Sequence, residues 1–438
     1  YGRIKEVQAK TKLKTLIVTN IKEQLPPMLA LLFTLAKEKK DGHRVELAPG
    51  DVWMKDLLAK YSPADRPKVA IASTDLALFQ YSGGTTGLSK AAMATHSNLV
   101  ANMLQIGAWV HPFREGGERT LMAIPLFHVY GMVGGMLLSI HMGSALIMVP
   151  NPRDLKDVLE NITKYQPTFF PGVPAMYNAL NNHADVKSGK VSLGSIRYCV
   201  SGSAPLLLET KQTFEKLSGG KLIEAFGLSE APTATHGNPL MGVNKAGSIG
   251  MPISDTESKL VSLEDGVTEV PQGEEGELII RGPQVFKGYW NMPTETANTL
   301  RDLKDGGGPW LFTGDIAKMD VDGYFFIVDR KKELIKPGGF QVWPRDVEEV
   351  LIKHPAILEV GVAGVPDAQS GEAVKAWVVF KPGQSATEEE LRAFCKKELT
   401  GYKVPKHFEV REALPRTTVG KVLRRELVRE HKEKAGLK

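Results

Sequence analysis

Cysteine is almost missing from this chain. Cys199 and Cys395 are the only two in 438 residues, far apart and in unlike contexts. That excludes a disulfide framework and a thiolate metal site, and it fits a reducing cytoplasm. The ten histidines form no cluster with metal-ligand spacing. Long apolar runs are missing too, and without 18 consecutive apolar residues the sequence offers no ordinary membrane-spanning helix. The start, Tyr1-Gly-Arg-Ile-Lys5, has neither an initiator methionine nor the layout of a signal peptide, which suggests a chain beginning inside a domain. Repeats and low-complexity stretches are also lacking.

What is present is ordinary for a soluble globular protein, with 42% hydrophobic and 24% charged residues and length enough for two or three domains. The net charge of +5 is uneven. Residues 330–438 hold 22 Lys and Arg against 16 Asp and Glu, or +6, which leaves −1 for the remainder. A basic end on a near-neutral body suggests an anionic partner. The bases alternate with acids and have few aromatics beside them, so a phosphorylated small molecule fits better than nucleic acid.

The chain is organised around Tyr81-Ser-Gly-Gly-Thr-Thr-Gly-Leu-Ser-Lys90. Gly83, Gly84 and Gly87 free the backbone and keep side chains away from a bulky anion. Ser82, Thr85 and Thr86 offer hydroxyls, successive N–H groups can form an anion nest, and Lys90 adds a point charge. The nucleotide-hydrolase P-loop needs four residues between its glycines and then Gly-Lys-Ser/Thr. Gly83 and Gly87 have three between them, and no glycine precedes Lys90, so this is another kind of phosphate loop. Alone, a plain Gly/Thr surface loop would account for it equally well. A strand at 76–81 precedes it, and a helix with a polar cap follows Thr95.

Before it, 15–19 reads as a short strand. The apolar segment 25–36 reads as a helix running into Lys37, Lys39, Lys40, His43 and Arg44. Such a helix is either buried with a solvated end or laid on an anionic membrane surface. After it, apolar runs at 120–125, 145–150, 168–171, 197–201 and 222–226 alternate with helical patterns at 131–141, 154–165, 173–180 and 206–217. That alternation predicts an α/β layered domain with binding loops at the strand ends. Beyond Gly242 the texture becomes antiparallel β, as in Gly276-Glu-Leu-Ile-Ile-Arg281. A last module near 331 shows strands at 357–365, 373–380 and 407–410 and helices at 344–353, 387–399 and about 421–433.

Four more stretches carry chemistry. Ile124-Pro-Leu-Phe-His-Val-Tyr-Gly131 puts His128 and Tyr130 at a strand end, and Gly131, Gly134 and Gly135 open a helix against which a long apolar ligand could lie. The plain alternative is a core histidine beside a packed helix. Glu224-Ala-Phe-Gly-Leu-Ser-Glu230 offers the flat face of Phe226, the hydroxyl of Ser229 and the carboxylate of Glu230, which beside phosphates would suit Mg²⁺. Its plain alternative is a strand-to-helix turn. Trp310-Leu-Phe-Thr-Gly-Asp315 presents a carboxylate able to accept from both hydroxyls of a ribose, and Arg330 could reach the same sugar. Leu414-Pro-Arg-Thr-Thr-Val-Gly-Lys421 puts a lysine after a glycine turn, where a solvated charge is the usual reading.

Together, in this order from about Leu76 onward, these motifs resemble the adenylate-forming superfamily of acyl-CoA synthetases, firefly-type luciferases and peptide-synthetase adenylation domains. They look most like a bacterial long-chain fatty-acid–CoA ligase. The resemblance implies an α/β fold: a large layered adenylate-forming domain (1–330) that lacks the family's N-terminal part and includes a β-rich segment, then a small, mobile α+β C-terminal domain (331–438). It implies ATP, Mg²⁺ and CoA, with a fatty acid as substrate. The phosphate loop with Thr85 and Lys90 holds phosphates, Gly227 and Ser229 belong to the cofactor-binding set, and Thr85 and Glu230 serve the metal. Phe226 stacks on adenine beside Gly202, Ser203 and Ala204, and Asp315 and Arg330 bind ribose. Lys421 bridges the carboxylate and the α-phosphate, with Glu230 and His128 also in the catalytic set. Tyr130 and Gly131 face the acyl group, and Lys332 is the hinge. Lys336, Gly338 and Gly339 lie in the segment that turns toward the thioester site. An aryl-acid or other CoA ligase, and a non-catalytic nucleotide-binding fragment, are the competing readings. The resemblance puts the protein in the cytoplasm and leaves open a homodimer and peripheral contact with the inner membrane surface.

Overall fold

The computed structural model describes residues 1–82, 89–417 and 422–436, apart from the Ser82 side chain. The chain divides into two compact units, Tyr1–Ile71 and Ala72–Lys438. In the first, Ile17–Val18 pairs in parallel with Val52–Trp53, so the expected strand is only two residues long. The helix Pro27–Ala36 has a proline in its first turn and buries none of its residues.

The second unit is built on a seven-stranded sheet. In spatial order its strands are Met251–Pro252, Ala231–Gly237, Lys221–Leu228, Tyr198–Ser201, Phe169–Gly172, Arg119–Met122 and Ala145–Met148. The last five are parallel, as the strand–helix alternation predicts, and the first two close the edge antiparallel. Phe170, Cys199 and Leu222 of the parallel strands pack with Val158, Ile162 and Phe214 of the crossover helices into one core. This doubly covered layer leaves the loops at the carboxyl ends of its strands free to carry a site. The hairpin Leu76–Ser82 with Lys90–Thr95 precedes it, and Thr95 starts the helix His96–Trp109 with a reciprocal cap. Its hydroxyl accepts from the Asn98 N–H at 3.2 Å, and the Asn98 side chain accepts from the Thr95 N–H at 2.9 Å.

An antiparallel sheet follows, with strands Glu257–Val261, Gly276–Arg281, Trp310–Met319 and Leu300–Arg301, and Phe325–Arg330 paired to Trp310–Met319. After it come Ile357–Asp367, Gly371–Phe380 and His407–Val410, a three-stranded sheet with its own core around Val347, Val374, Val378 and Leu391. The final helix is Arg424–Lys434, starting later than the pattern suggests.

One element differs from expectation in kind. The helix after His128 opens as a π-type stretch, Tyr130–Leu137, before Leu138–His141 becomes α-helical. Its glycines are explained by packing. A Cβ on Gly131 would lie 2.5 Å from the Pro125 carbonyl oxygen, and one on Gly135 would lie 2.6 Å from the Met122 side chain. The missing bulk at Gly131 and Gly135 admits the protein's own strand end, while Gly134 between them lines a cavity at the strand ends.

Candidate active site

The strand ends and the antiparallel sheet surround a cavity of about 770 Å³, within the range of small-molecule sites. Its polar lining includes Lys90, Ser229, Glu230, Arg330, Lys331 and Lys332. Its apolar lining includes Ile106, Trp109, Val110, Phe169 and Ile223, most of them from one buried cluster under the sheet.

Glu230 sits in the tight connection between Lys221–Leu228 and Ala231–Gly237. The Phe226 motif therefore lies inside a strand that turns straight back into another strand, and no helix follows it. Glu230 Oε1 accepts a 2.7 Å hydrogen bond from the Tyr289 hydroxyl. Burial first, and then the charge of Glu230, push the Tyr289 hydroxyl far above its ordinary pKa, so it stays protonated and donates. Lys90 pairs with Glu295 of the helix Pro293–Thr299, and its ammonium stands 5.3 Å from the centroid of the Tyr289 ring.

Asp315 and Arg330 face each other across paired strands, with Nε to Oδ1 at 2.5 Å. Asp315 is 3% exposed, and its charge is the main reason the Arg330 guanidinium is held more firmly protonated than usual. Arg330 reaches the cavity wall, with Thr313 and Gly314, which lie in the strand Trp310–Met319 together with Asp315 and not in a turn. Phe226, Gly227, Gly202 and Ser203 line the same cavity. Tyr130 explains how Gly202 is held. The tyrosine hydroxyl donates to the Val200 carbonyl at 2.7 Å and to the Gly172 carbonyl at 3.3 Å, and a Cβ on Gly202 would meet its ring at 3.2 Å.

His128 and Tyr130 also line the cavity. The Tyr130 N–H donates to His128 Nδ1 at 3.2 Å, and burial lowers the pKa of the imidazole, favouring its neutral form. Lys332 lies in the short turn Lys331–Glu333, and Thr417 lines the cavity from the last module.

Several expected site residues stand apart. Ala204, Gly131, Asp315, Lys336, Gly338 and Gly339 are not part of the cavity wall, and Asp315 meets it through Arg330. The Lys336 N–H bonds to Glu372 at 2.7 Å, while Gly338 and Gly339 occupy an open turn with φ of 58° and 87°. Gly83, Gly84, Thr85, Thr86, Gly87 and Lys421 lie outside the described residues, as does the Ser82 side chain.

Sequence reasoning missed Tyr289 and Glu295. Gly288-Tyr-Trp-Asn-Met-Pro-Thr-Glu295 reads as a turn into a helix, and nothing local shows that it meets Lys90. It also missed His236, fully buried between Phe226 and Phe325, whose pKa burial lowers to about 3.

Mg²⁺ suits the residues present. Glu230 Oε1 takes the tyrosine hydroxyl, while Oε2 has no hydrogen-bond partner among the described residues. No cluster of three or more acidic, histidine or cysteine ligands occurs among them either. One carboxylate oxygen completed by substrate phosphates is how Mg²⁺ is usually held.

The layered sheet, the cavity at its strand ends and the small terminal sheet define an adenylate-forming α/β architecture. The chain belongs to the AMP-binding enzyme family: residues 2–290 match its main domain and 346–421 its C-terminal domain. It is 49% identical over 364 residues to a long-chain-fatty-acid–CoA ligase of Bacillus subtilis, covering 83% of this chain and 63% of that protein. It thus spans less than two thirds of that relative's length. It is 38% identical to a long-chain-fatty-acid–CoA ligase of Yersinia pestis, over 99% of this chain and 75% of that one. Among solved structures, ATP-bound MatB of Rhodopseudomonas palustris superposes with a TM-score of 0.82 at 28% identity, covering 99% of this chain and 82% of that one. An anthranilate CoA ligase in complex with anthranoyl-AMP gives 0.79 at 27% identity, covering 100% and 81%.

Proposed function

We propose that the chain activates a long-chain fatty acid with ATP to an acyl-adenylate and transfers the acyl group to CoA, releasing pyrophosphate and AMP. One observation carries the reading: a single cavity joins a cationic, carboxylate-bearing lining to an apolar one. Relatives at up to 49% identity bearing the name long-chain-fatty-acid–CoA ligase support the same assignment.

The chemistry explains the parts. A carboxylate is a poor acyl donor because oxide would have to leave. Its oxygen therefore attacks the α-phosphorus of ATP, the bond to the pyrophosphate oxygen breaks, and AMP becomes the later leaving group. In this reading Lys90 and the loop 83–88 hold the β- and γ-phosphates, Phe226 and Gly202–Ser203 take the adenine, and Arg330 and Asp315 take the ribose. Neutral His128 and Tyr130 line the same cavity. Glu230 and Thr85 would hold Mg²⁺, which supplies charge neutralisation at phosphate oxygens when bound. Lys421 would meet the charge that develops on the carboxylate and the α-phosphate, and Thr417, four residues before it, lines the cavity. The CoA thiolate then attacks the acyl carbon and AMP leaves. A lysine placed for the first step obstructs the second, so residues 331–438 turn about Lys332 between them.

The helix Pro27–Ala36 exposes Met28, Leu31 and Leu35 and runs into a lysine cluster, which supports contact with an anionic membrane surface where fatty acids partition. No helix among the described residues is long and apolar enough to cross a membrane.

The test is pyrophosphate release with fatty and aryl acids, with and without CoA. Release with long-chain acids, and thioester only with CoA, is expected. ATP binding without release for any acid would overturn the reading in favour of a nucleotide-binding protein.

A further inference from the structure

We propose that Tyr289 is a positioning residue for the phosphate end of this site, one side chain that sets where the carboxylate of Glu230 and the ammonium of Lys90 stand relative to each other. The inference rests on the reading of Glu230 as a metal ligand and of Lys90 as a phosphate contact.

The backbone prepares the arrangement. The Phe286 N–H donates to the Glu230 carbonyl at 2.8 Å. Four residues on, the Trp290 N–H donates to the Ala91 carbonyl at 2.9 Å, and Tyr289 pairs with Ala92. Residues 286–290 therefore stitch the Glu230 turn to the strand that begins at Lys90. The Tyr289 side chain repeats the link, with its hydroxyl on Glu230 Oε1 at 2.7 Å and its ring beneath the Lys90 ammonium. The ring is itself held firmly. It is 7% exposed and stands edge-on to Phe286 at 4.9 Å, and the Tyr289 N–H donates to the Thr296 hydroxyl oxygen at 2.9 Å.

The chemical type of the donor matters. A lysine or arginine on Glu230 Oε1 would fix the carboxylate equally well, but it would cancel the charge that attracts a divalent cation. A phenol fixes the carboxylate and leaves its charge intact. The ring also keeps two opposite charges apart. Lys90 rests on the tyrosine face and on Glu295, and Glu230 is left without a cation in direct contact among the described residues. A buried tyrosine that merely satisfied its hydroxyl would need none of this.

Tyr289→Phe in the full chain separates the two accounts, because it keeps the ring and removes the hydroxyl. Binding of Mn²⁺·ATP to the protein, read by the enhancement of water-proton relaxation over that of free Mn²⁺·ATP, is expected to weaken about tenfold or more, the usual result when the partner of a metal ligand is lost. ATP binding without metal is expected to stay within about twofold. In turnover, the concentration of Mg²⁺ at half-maximal rate should rise in parallel, while the melting temperature stays close to the parent's. Should the phenylalanine variant prove unstable, Tyr289→Met repeats the measurement with the hydroxyl absent. A Tyr289→Phe titration that overlays the parent's, while Glu230→Gln weakens Mn²⁺ binding, overturns the positioning role and leaves the metal reading standing. If Glu230→Gln also overlays the parent, the metal reading fails and the inference falls with it.

Discussion

The most informative single change outside the cavity is Arg424→Met. Arg424 opens the last helix, three residues after Lys421. Its guanidinium forks onto Glu348, with Nη2 at 2.7 Å and Nε at 3.2 Å, pairs with Glu333 in the turn that holds Lys332, and reaches Asp329 at 3.4 Å. Asp329 belongs to the strand Phe325–Arg330 and is 4% exposed, so this one cation ties the helix Pro344–Leu351, the turn and the antiparallel sheet together. Burial works against its charge, yet Glu348, Glu333 and Asp329 together hold it more firmly protonated than a free guanidinium. Glu348 is the reverse case, because burial raises its pKa even with Arg424 beside it.

Removing one partner of a buried ion pair costs about 3–5 kcal/mol, because the other charge stays behind. Glu333 is exposed enough to rehydrate, which favours the low end, about 3 kcal/mol. At about 2 °C per kcal/mol for a unit well above 100 residues, the transition of the unit Ala72–Lys438 should fall by about 6 °C at neutral pH. The sign with pH follows from Glu348. Its folded pKa lies above the unfolded value of about 4.3, so protonation favours the folded chain. The stability it confers is complete below about 4.3 and is lost as pH rises through the folded value. Without Arg424 the folded value climbs further. The deficit of Arg424→Met should therefore be largest near pH 7 and shrink toward pH 4, and Glu348→Gln in the same chain should recover part of it. Scanning calorimetry across pH measures all three. A deficit below about 1 kcal/mol at pH 7, or one that does not change with pH, would refute the reasoning, because that is how a solvated surface pair behaves.

Lys421→Ala should slow ATP–pyrophosphate exchange by about 10²–10³ and spare thioester formation from supplied acyl-adenylate, and equal losses in both would remove its assigned role. Lys332→Pro fixes φ and deletes an N–H in the turn Lys331–Glu333, so thioester formation should fall more than exchange. An unchanged ratio of the two rates in a normally folded variant counts against the turning module. Leu31→Asp with Leu35→Asp should abolish sedimentation with anionic vesicles and leave turnover of a short soluble acid unchanged. Equal sedimentation of parent and variant removes the membrane contact.

Much of this was legible in the sequence because the signals are local. Strand–helix alternation with short apolar runs specifies a parallel sheet. Asp315 and Arg330, singled out as sharing one sugar, occupy facing positions of two paired strands. What stayed hidden is non-local. Lys90 and Glu295 meet across 205 residues, and an ion pair leaves no periodic trace in either segment. The glycines after Tyr130 show two roles that composition does not separate. Gly131 and Gly135 admit the Pro125 carbonyl and Met122, while Gly134 lines the cavity. Helical periodicity likewise could not tell a π-type stretch from an α-helix, since the difference lies in which carbonyl each N–H reaches.

Tyr130 shows why the two linings of the cavity act as one site. It enters from the loop after Arg119–Met122, crosses under the ends of Phe169–Gly172 and Tyr198–Ser201, and bonds both of their carbonyls. Its ring supports Gly202, and its backbone N–H orients His128. Two strand ends are thus joined by one buried side chain. Sheets are stiff along their strands, so a displacement at one of these ends is transmitted to the other, and the Gly202 turn and the histidine move as a unit. Tyr289 joins Glu230 and Lys90 in a similar way. Both are aromatic residues whose hydroxyl is held by one part of the site while the ring bears on another. That is a way to hold reacting groups at set distances without placing a further charge among them.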